Sequence, residues 1–336
     1  MSPSSKIRLG IIGFGLIGKQ RYRAAIDLGI LKENIFVMDP GFELFDFDNF
    51  KNLNLVENIS ELTQKQISHC IISTPHNVAI PYVEKLLDCQ IKVLLEKPMG
   101  RNLSESKNLN SHPYSSKLSI GFNYRFMPGI QQLKERIELG TFGKVISVKI
   151  ELGHGGSPAD KNSWKLNPHK AGGGALLDPG IHIIDLIQYL FNSDLSDFKI
   201  SGINSWSGFW NTGIEECVFV IGELNGVLIN FSVSLVSWKT KFKVELIGEE
   251  GYFEISGRGR SDGPQVVTEG ARWAWLNGIS QLGAEKRQVL SDQDDSIRDE
   301  LSDWINEGPD HAISSQAYGS MVLYSRLLDK LEHNDD

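Results

Sequence analysis

The sequence predicts an α/β fold in two domains, a doubly wound parallel sheet followed by an α+β domain with an open, mainly antiparallel sheet. The 336 residues are too many for one ordinary hydrophobic core. The first third alternates short apolar runs with helical patterns, which is typical of a parallel sheet covered by helices. From residue 144 onward, apolar and polar residues alternate, as in strands with one covered face.

The elements of the first domain follow one another at short intervals. A helix is predicted from Gly18 to Leu28, and another over 78–88, where the apolar residues recur at helical spacing. Buried strands are predicted over 7–13, 34–39, 67–74, 91–97 and 117–123.

The second half of the chain predicts a sheet and a final helix. Its last apolar stripe has i, i+4, i+7 spacing, which indicates a helix over about 312–332 that buries one face. We therefore predict two domains without a tether, covering residues 1–122 and 123–336. The clearest alternating strands are 146–152, 229–235 and 241–247.

Composition excludes several classes of partner. A net charge of -8 argues against nucleic acid and anionic membranes as partners. The longest apolar run, LGIIGFGLIG, is about half a membrane span, and the segment before the first strand is too short for a signal peptide. Three widely spaced cysteines suit a reducing compartment. We expect a cytoplasmic protein with no nucleic-acid or membrane partner.

The segment GFGLIG has the GxGxxG pattern directly after a predicted strand and at the start of a predicted helix. Gly13 permits a tight turn, Gly15 a close approach to a pyrophosphate, and Gly18 close packing of helix on strand. The N–H groups of the helix start then face the phosphates. This context favours a dinucleotide-binding Rossmann domain over a merely glycine-rich turn. The predicted phosphate-binding residues are Gly13, Phe14, Gly15, Leu16, Ile17 and Gly18.

Asp39 ends the second predicted strand, where a carboxylate can accept hydrogen bonds from the adenosine ribose. The residues that follow are Pro40, Gly41 and Phe42, and none of them can pair with a 2′-phosphate. NAD is therefore favoured over NADP as the cofactor. The alternative is a turn aspartate before Pro-Gly.

Four residues at and just after the end of the third predicted strand lie at the carboxyl edge, where such sheets bind ligands: Ser73, Thr74, Pro75 and His76. Their backbone is expected to meet the nicotinamide half of the cofactor. For His76 itself, the plainer interpretation of a solvated loop residue is favoured over a ligand contact.

Two further segments carry candidates for proton chemistry. Glu96 and Lys97 close the next strand, where a lysine can stabilise negative charge that develops on a substrate oxygen; an ordinary strand-end charge is the alternative. In GGGALLDPGIHIID, Asp178 and Pro179 have the residue types of a helix N-cap and first turn, and His182 follows four residues after Asp178. A capped helix start and a proton site do not exclude each other.

Together these motifs resemble the Gfo/Idh/MocA oxidoreductases, the family that includes inositol dehydrogenases and glucose–fructose oxidoreductase. The resemblance covers nearly the whole chain. Its most specific part is the order of Glu-Lys-Pro at 96–98, GFNYRFMP at 121–128, and WKLNP through GGGALLDPGIHIID at 164–185. It implies a Rossmann domain, a second domain on an open sheet, and a chain end, the helix at about 312–332, that packs back on the first domain.

The resemblance also implies roles for Lys97, Asp178 and His182 as catalytic and substrate-binding residues. His182 would take the proton from the substrate hydroxyl, Lys97 would polarise the same oxygen, and Asp178 would orient the histidine or relay the proton. A helix start would place Asp178 and His182 on one face and disfavour the histidine cation. The glycines at 172–174 would let backbone pass close to cofactor or substrate. The Lys97–Pro98 bond is expected to be cis.

Other positions match the family pattern less specifically. Glu96, Lys97 and Arg125 are assigned to the cofactor, with a structural ion pair as the alternative for Arg125. Tyr124 and Trp164 are assigned to the substrate, although Trp164 can equally serve packing. Asp185 matches the trailing acidic position and can bind substrate or form a salt bridge. Ala79 stands where the family usually places a histidine.

The family's substrates are mostly sugars, polyols, sugar acids and nucleotide-linked sugars, so the resemblance implies hydride transfer to or from a CH–OH carbon of a small carbohydrate. The segment 257–276 is a candidate nucleotide-sugar site or an ordinary surface excursion. It contains Arg258, Arg260, Arg272, Trp273 and Trp275.

Other functions and assemblies fit the same motifs. An NAD(P)-sensing regulator, an NAD-dependent glycosidase, and an enzyme that never releases its cofactor are the alternatives. No metal site is predicted. A homodimer or homotetramer through the open sheet of the second domain is expected.

Overall fold

In the computed structural model, residues 7–41, 50, 52–259, 262–277 and 285–333 are described. The chain divides into two compact units. The first contains Met1–Asn123 and Ser296–Tyr318, and the second contains Tyr124–Asp295 and Gly319–Asp336. The predicted α/β class, with a parallel first sheet and a mainly antiparallel second sheet, is confirmed.

The first unit is built on a seven-stranded sheet within the described ranges. Its strands are β1 (Leu9–Ile12), β2 (Ile35–Met38), β3 (Asn54–Leu55), β4 (His69–Ile72), β5 (Lys92–Glu96), β6 (Leu118–Gly121) and β15 (Ala312–Ile313). The strand order is β15-β6-β5-β4-β1-β2-β3, and only β15 is antiparallel to its neighbour. The central strands are fully buried apolar runs, as expected when helices cover both faces.

Helices of the first unit are α1 (Leu16–Asp27), α2 (Ile59–Gln64), α3 (His76–Asp88), α4 (Leu103–Asn110) and α8 (Ser296–Ile305). The side chains of Asn58 and Asn102 cap α2 and α4 by accepting hydrogen bonds from the N–H groups of Glu61 and Glu105. Because β5, β4, β1 and β2 are adjacent and parallel, the residues that follow them share one edge of the sheet.

The second unit is built on an eight-stranded sheet. Its strands are β7 (Val145–Gly153), β8 (Lys199–Trp206), β9 (Cys217–Leu224), β10 (Val227–Ser234), β11 (Lys241–Gly248), β12 (Gly251–Ser256), β13 (Gln265–Ala271) and β14 (Glu285–Ser291). Among the described residues, they are ordered β14-β13-β12-β11-β7-β10-β9-β8, and only β7 and β10 pair in parallel. Their apolar side chains alternate with polar ones and bury a single face.

The remaining helices are α5 (Pro128–Glu138), α6 (Pro168–Ala171), α7 (Ile181–Phe191) and α9 (Ser314–Glu332). Helix α7 is buried along nearly its whole length, which accounts for its continuous apolar sequence. The helix predicted over about 312–332 is α9, and residues 312 and 313 form β15 before it. Among the described helices, none has the length and apolar character that a membrane crossing requires.

Candidate active site

The glycine-rich loop after β1 forms a cradle of backbone in the first unit. Gly13 has a φ of 89°, and a Cβ atom there would lie 2.7 Å from the carbonyl group of Ser73. A Cβ atom on Gly18 would lie 2.1 Å from the carbonyl oxygen of Gly13, whereas one on Gly15 would meet nothing within 4 Å. The loop is thus closed on its protein side and open beside Gly15. This shape fits a dinucleotide whose pyrophosphate lies at the start of α1.

Asp39 follows β2 at the same edge. Its carboxylate accepts hydrogen bonds from the N–H groups of Phe14 (2.5 Å) and Gly41 (2.7 Å). The contact with Gly41 is that of a turn aspartate, and the contact with Phe14 ties the carboxylate to the glycine-rich loop. Since each carboxylate oxygen has two lone pairs, these contacts leave room for ribose hydroxyls. Phe42 lies outside the described residues.

The residues after β4 lie next to the glycine-rich loop. The Ser73 hydroxyl donates to the carbonyl oxygen of Gly13 at 2.7 Å. The Thr74 hydroxyl is buried and has no hydrogen-bond partner among the described residues, so a bound nicotinamide or substrate group is a suitable partner for it. Pro75 caps α3.

The expectation of a solvated loop position for His76 is wrong. This residue is the first of α3 and is only 8% exposed. Its burial follows from the packing of α3 against β4 and β5, which the local sequence does not reveal.

Glu96 is the last residue of β5 and Lys97 follows it. The Lys97–Pro98 peptide bond is cis, as the resemblance implies. The Glu96 carboxylate accepts a hydrogen bond from Nε of Arg21 at 2.7 Å. The same guanidinium donates to Glu300 at 2.5 Å and to the carbonyl of Ile297 at 3.1 Å. Arg21 and Glu300 are completely buried, so a buried ion triad fixes the residue that precedes Lys97.

In the second unit, His182 is the second residue of α7 and is 4% exposed. The Tyr124 ring stacks on its imidazole, with centroids 4.0 Å apart and planes 6° from parallel. The Tyr124 hydroxyl accepts a hydrogen bond of 2.5 Å from Arg258. Burial raises the pKa of Tyr124, and the charge of Arg258 opposes that shift. Arg258 and Tyr124 therefore hold the His182 ring in a fixed plane.

Asp178 lies in a turn before α7, so the prediction that it caps this helix is wrong. The helix begins at Ile181, and its N-cap is Gly180. The N–H of Asp178 donates to the carbonyl of Gly174 at 2.9 Å, and its carboxylate pairs with the Lys165 ammonium at 3.3 Å. The Asp178–Pro179 peptide bond is cis. The prediction that Asp178 and His182 share a helical face is therefore wrong, because the residues before Ile181 form turns.

Gly173 and Gly174 approach protein groups rather than leaving space for a ligand. A Cβ atom on Gly173 would lie 2.4 Å from the Tyr324 hydroxyl, and one on Gly174 would lie 2.1 Å from the carbonyl oxygen of Glu215. Sequence reasoning did not identify Tyr324 or Glu215, because both are remote from this segment in the chain.

The family-matched positions Arg125 and Asp185 form a buried bidentate pair, with Nε–Oδ2 and Nη2–Oδ1 distances of 2.8 and 2.6 Å. The guanidinium also lies over the Tyr189 ring. This geometry is the structural ion pair named as the alternative, and a cofactor contact of Arg125 stays a prediction. Trp164 is half-buried beside Lys165, and its contact with substrate also stays a prediction.

The two described arginines of the segment 257–276 lie at opposite ends of the β12–β13 pair. Arg258 follows the end of β12, whereas Arg272 is beside its start and donates to the carbonyls of Gly248 and Glu249. About 20 Å of strand separates them, so they cannot bind one phosphate group. Arg260 and the Trp275 side chain lie outside the described residues.

Comparison with known proteins agrees with this geometry. Residues 7–118 match the model of the oxidoreductase family with an NAD-binding Rossmann fold, and residues 130–254 match the GFO/IDH/MocA C-terminal domain. The chain is 27% identical to the rhizopine catabolism protein MocA of Rhizobium meliloti over 59% of this chain and 61% of that relative. It is 24% identical to glucose-6-phosphate 3-dehydrogenase of Bacillus subtilis over 89% of this chain and 87% of the relative.

The fold is shared with solved structures of low sequence identity. Levoglucosan dehydrogenase in complex with NADH and levoglucosan superposes with a TM-score of 0.81 at 17% identity, over 98% of this chain and 97% of the other. Solved structures of similar coverage include complexes with NADH and with NADP.

Proposed function

Since the chain belongs to the Gfo/Idh/MocA family and is an NAD(P)-binding oxidoreductase of CH–OH groups, we propose that its substrate is a sugar, polyol, sugar acid or nucleotide-linked sugar. The observation that carries the proposal is His182, a buried imidazole at the start of α7 whose plane Tyr124 and Arg258 fix. An imidazole held in this way suits a proton acceptor for a substrate hydroxyl.

Each candidate residue has a distinct role in this proposal. When bound, the nicotinamide supplies or accepts the hydride. His182 takes the proton from the substrate hydroxyl, or returns it in the reverse direction. Lys97 donates a hydrogen bond to the reacting oxygen and stabilises its negative charge. Asp178, which pairs with the Lys165 ammonium, orients the imidazole or relays its proton.

The Asp39 carboxylate supports NAD as the preferred cofactor, because it repels the 2′-phosphate of NADP. We expect wild-type protein to bind NADH more tightly than NADPH in a fluorescence titration. Asp39→Asn should shrink that preference by about 10-fold or more, since a charge-assisted hydrogen bond contributes ~1.5–3 kcal/mol. Asp27→Asn, an exposed carboxyl at the end of α1, is the control. Equal binding of NADH and NADPH to the wild type would contradict the assignment.

The outer face of the second sheet supports self-association. Trp206, Phe219, Ile221 and Leu228 lie on neighbouring strands and are 54–58% exposed. Phe219 and Ile221 on β9 alternate with the buried Val218 and Val220, so they share the uncovered face. Contiguous apolar surface of this kind marks protein–protein contacts.

For wild-type protein, we expect light scattering to give the mass of a dimer or tetramer. The Phe219→Glu variant should be monomeric, because a buried unpaired carboxylate would disrupt the apolar contact. Leu139→Glu, an exposed leucine after α5, should not change the mass. A monomeric wild type at micromolar concentration would contradict this assembly.

A further inference from the structure

Two consecutive glutamates precede β9, and each binds a different loop of the second unit. The Glu215 carboxylate accepts hydrogen bonds from the N–H groups of Gly174 (3.1 and 3.2 Å) and Leu176 (3.1 Å). Its backbone carbonyl accepts a third, from Ala175, at 2.8 Å. Three successive residues of the glycine-rich segment are thus bound by one glutamate.

These contacts lead directly to the proposed catalytic residues. The carbonyl of Gly174 accepts the N–H of Asp178 at 2.9 Å, and the carbonyl of Ala175 accepts the N–H of Gly180 at 2.7 Å. Gly180 is the N-cap of α7, and His182 is the second residue of that helix. Gly174 and Ala175 therefore donate their N–H groups to Glu215, while their carbonyls bind the turn that carries Asp178 and precedes α7.

The three glycines at 172–174 cannot hold this shape by side-chain packing. Residues 172–174 are glycines, which have the greatest conformational freedom in the unfolded chain. Gly174 must be a glycine because a Cβ atom would lie 2.1 Å from the Glu215 carbonyl oxygen. The glycines contribute no side-chain packing, whereas Ala175 and Leu176 are completely buried. The order of residues 172–174 therefore depends on backbone contacts such as those with Glu215.

The charge of Glu215 depends on the segment in turn. Burial raises the pKa of Glu215, and its own N–H group, together with those of Leu176 and Gly174, opposes that shift. In the described ranges, no lysine or arginine lies within salt-bridge distance of its carboxylate. Backbone amides therefore supply its stabilisation, and the carboxylate and the segment order each other.

We propose that Glu215 is a positioning residue that fixes the turn bearing Asp178 and the start of α7, and thereby the placement of His182. This role rests on the proposed function, because Glu215 would affect turnover only through Asp178 and His182. Misplacement of a reacting group by about 1 Å costs up to about 100-fold in rate.

The neighbouring Glu216 provides a matched control. Glu216 is completely buried, whereas Glu215 is partly buried, and the Glu216 carboxylate accepts the N–H groups of Phe209 (2.8 Å) and Trp210 (2.7 Å). Glu216 therefore makes the same kind of contact to a different loop, one without a proposed catalytic residue. Glu215→Gln and Glu216→Gln remove the same charge from adjacent positions and should lower stability similarly.

The test compares both variants by hydrogen–deuterium exchange and by kinetics on the carbohydrate that wild-type protein oxidises fastest among glucose, glucose 6-phosphate, myo-inositol, gluconate and UDP-glucose. For Glu215→Gln we expect faster exchange over residues 172–182, a kcat about 10- to 100-fold lower, and an unchanged Kd for NADH. Glu216→Gln should speed exchange over 207–212 and keep kcat near the wild-type value. If Glu215→Gln does not fold, Glu215→Asp, whose shorter carboxylate cannot reach both amides, replaces it.

Wild-type exchange over 172–182 together with wild-type kcat in Glu215→Gln would overturn the positioning role. An equal loss of kcat in Glu216→Gln would also overturn it, since the effect would then be a general loss of stability. Failure of the proposed function has a different signature, which is the absence of wild-type turnover on all five carbohydrates.

Discussion

His182→Ala should lower kcat by about 10²- to 10⁴-fold while leaving the Kd for NADH unchanged, because a positioned acid–base group contributes a factor of that size. The imidazole is buried and stacked on Tyr124 in the second unit, whereas the glycine-rich cradle is in the first unit. Steady-state kinetics and a fluorescence titration of NADH on the same preparation measure the two effects separately.

The control for this substitution is His333→Ala, which removes an exposed histidine after α9. We expect wild-type kinetics from it. A His182→Ala variant that retains most of the wild-type kcat would remove the imidazole from the proposed chemistry, and equal losses of kcat and of NADH affinity would indicate a damaged fold instead.

Arg21→Met should lower the free energy of unfolding by about 3–5 kcal/mol, since it leaves the buried Glu300 carboxylate and the partly buried Glu96 carboxylate without their cation. Burial lowers the pKa of Arg21, and the charges and hydrogen bonds of Glu96 and Glu300 outweigh that effect and raise it above its ordinary value. Urea denaturation followed by circular dichroism measures the change.

Arg23→Met is the matched control for Arg21→Met. Arg23 lies on the same helix, is exposed, and stands over the Phe50 ring. We expect a loss of at most about 1 kcal/mol from this exposed position. If both variants lowered the free energy of unfolding equally, the triad of Arg21, Glu96 and Glu300 would contribute no more to stability than an exposed arginine does.

The fold could be predicted because local patterns determine it. The buried strands β1, β4 and β5 are continuous apolar runs between glycines, polar residues and helices, and their order along the chain specifies a parallel sheet. The alternating strands of the second unit were predicted for the same reason, since one buried face imposes a period of two.

The details of the candidate site depend on contacts that no local pattern contains. Arg21 meets Glu96 and Glu300 across 75 and 279 residues of chain. Glu215 binds Gly174 across 41 residues of chain. Gly174 in turn binds the turn before α7, and the helix begins at Ile181 rather than directly after Asp178 as predicted. The residue types of Asp178 and Pro179 favour a helix start, but these tertiary hydrogen bonds overrode that preference.

The most direct test of the central claim is whether wild-type protein with NAD⁺ oxidises a carbohydrate. The absorbance of reduced nicotinamide would be followed with sugars, polyols, sugar acids and nucleotide-linked sugars, next to a titration of NADH binding. We predict NADH binding and a rise in absorbance with at least one carbohydrate. Tight binding of NADH without reduction of NAD⁺ or NADP⁺ by any of them would contradict the proposed substrate class, and no dinucleotide binding at all would contradict the whole account.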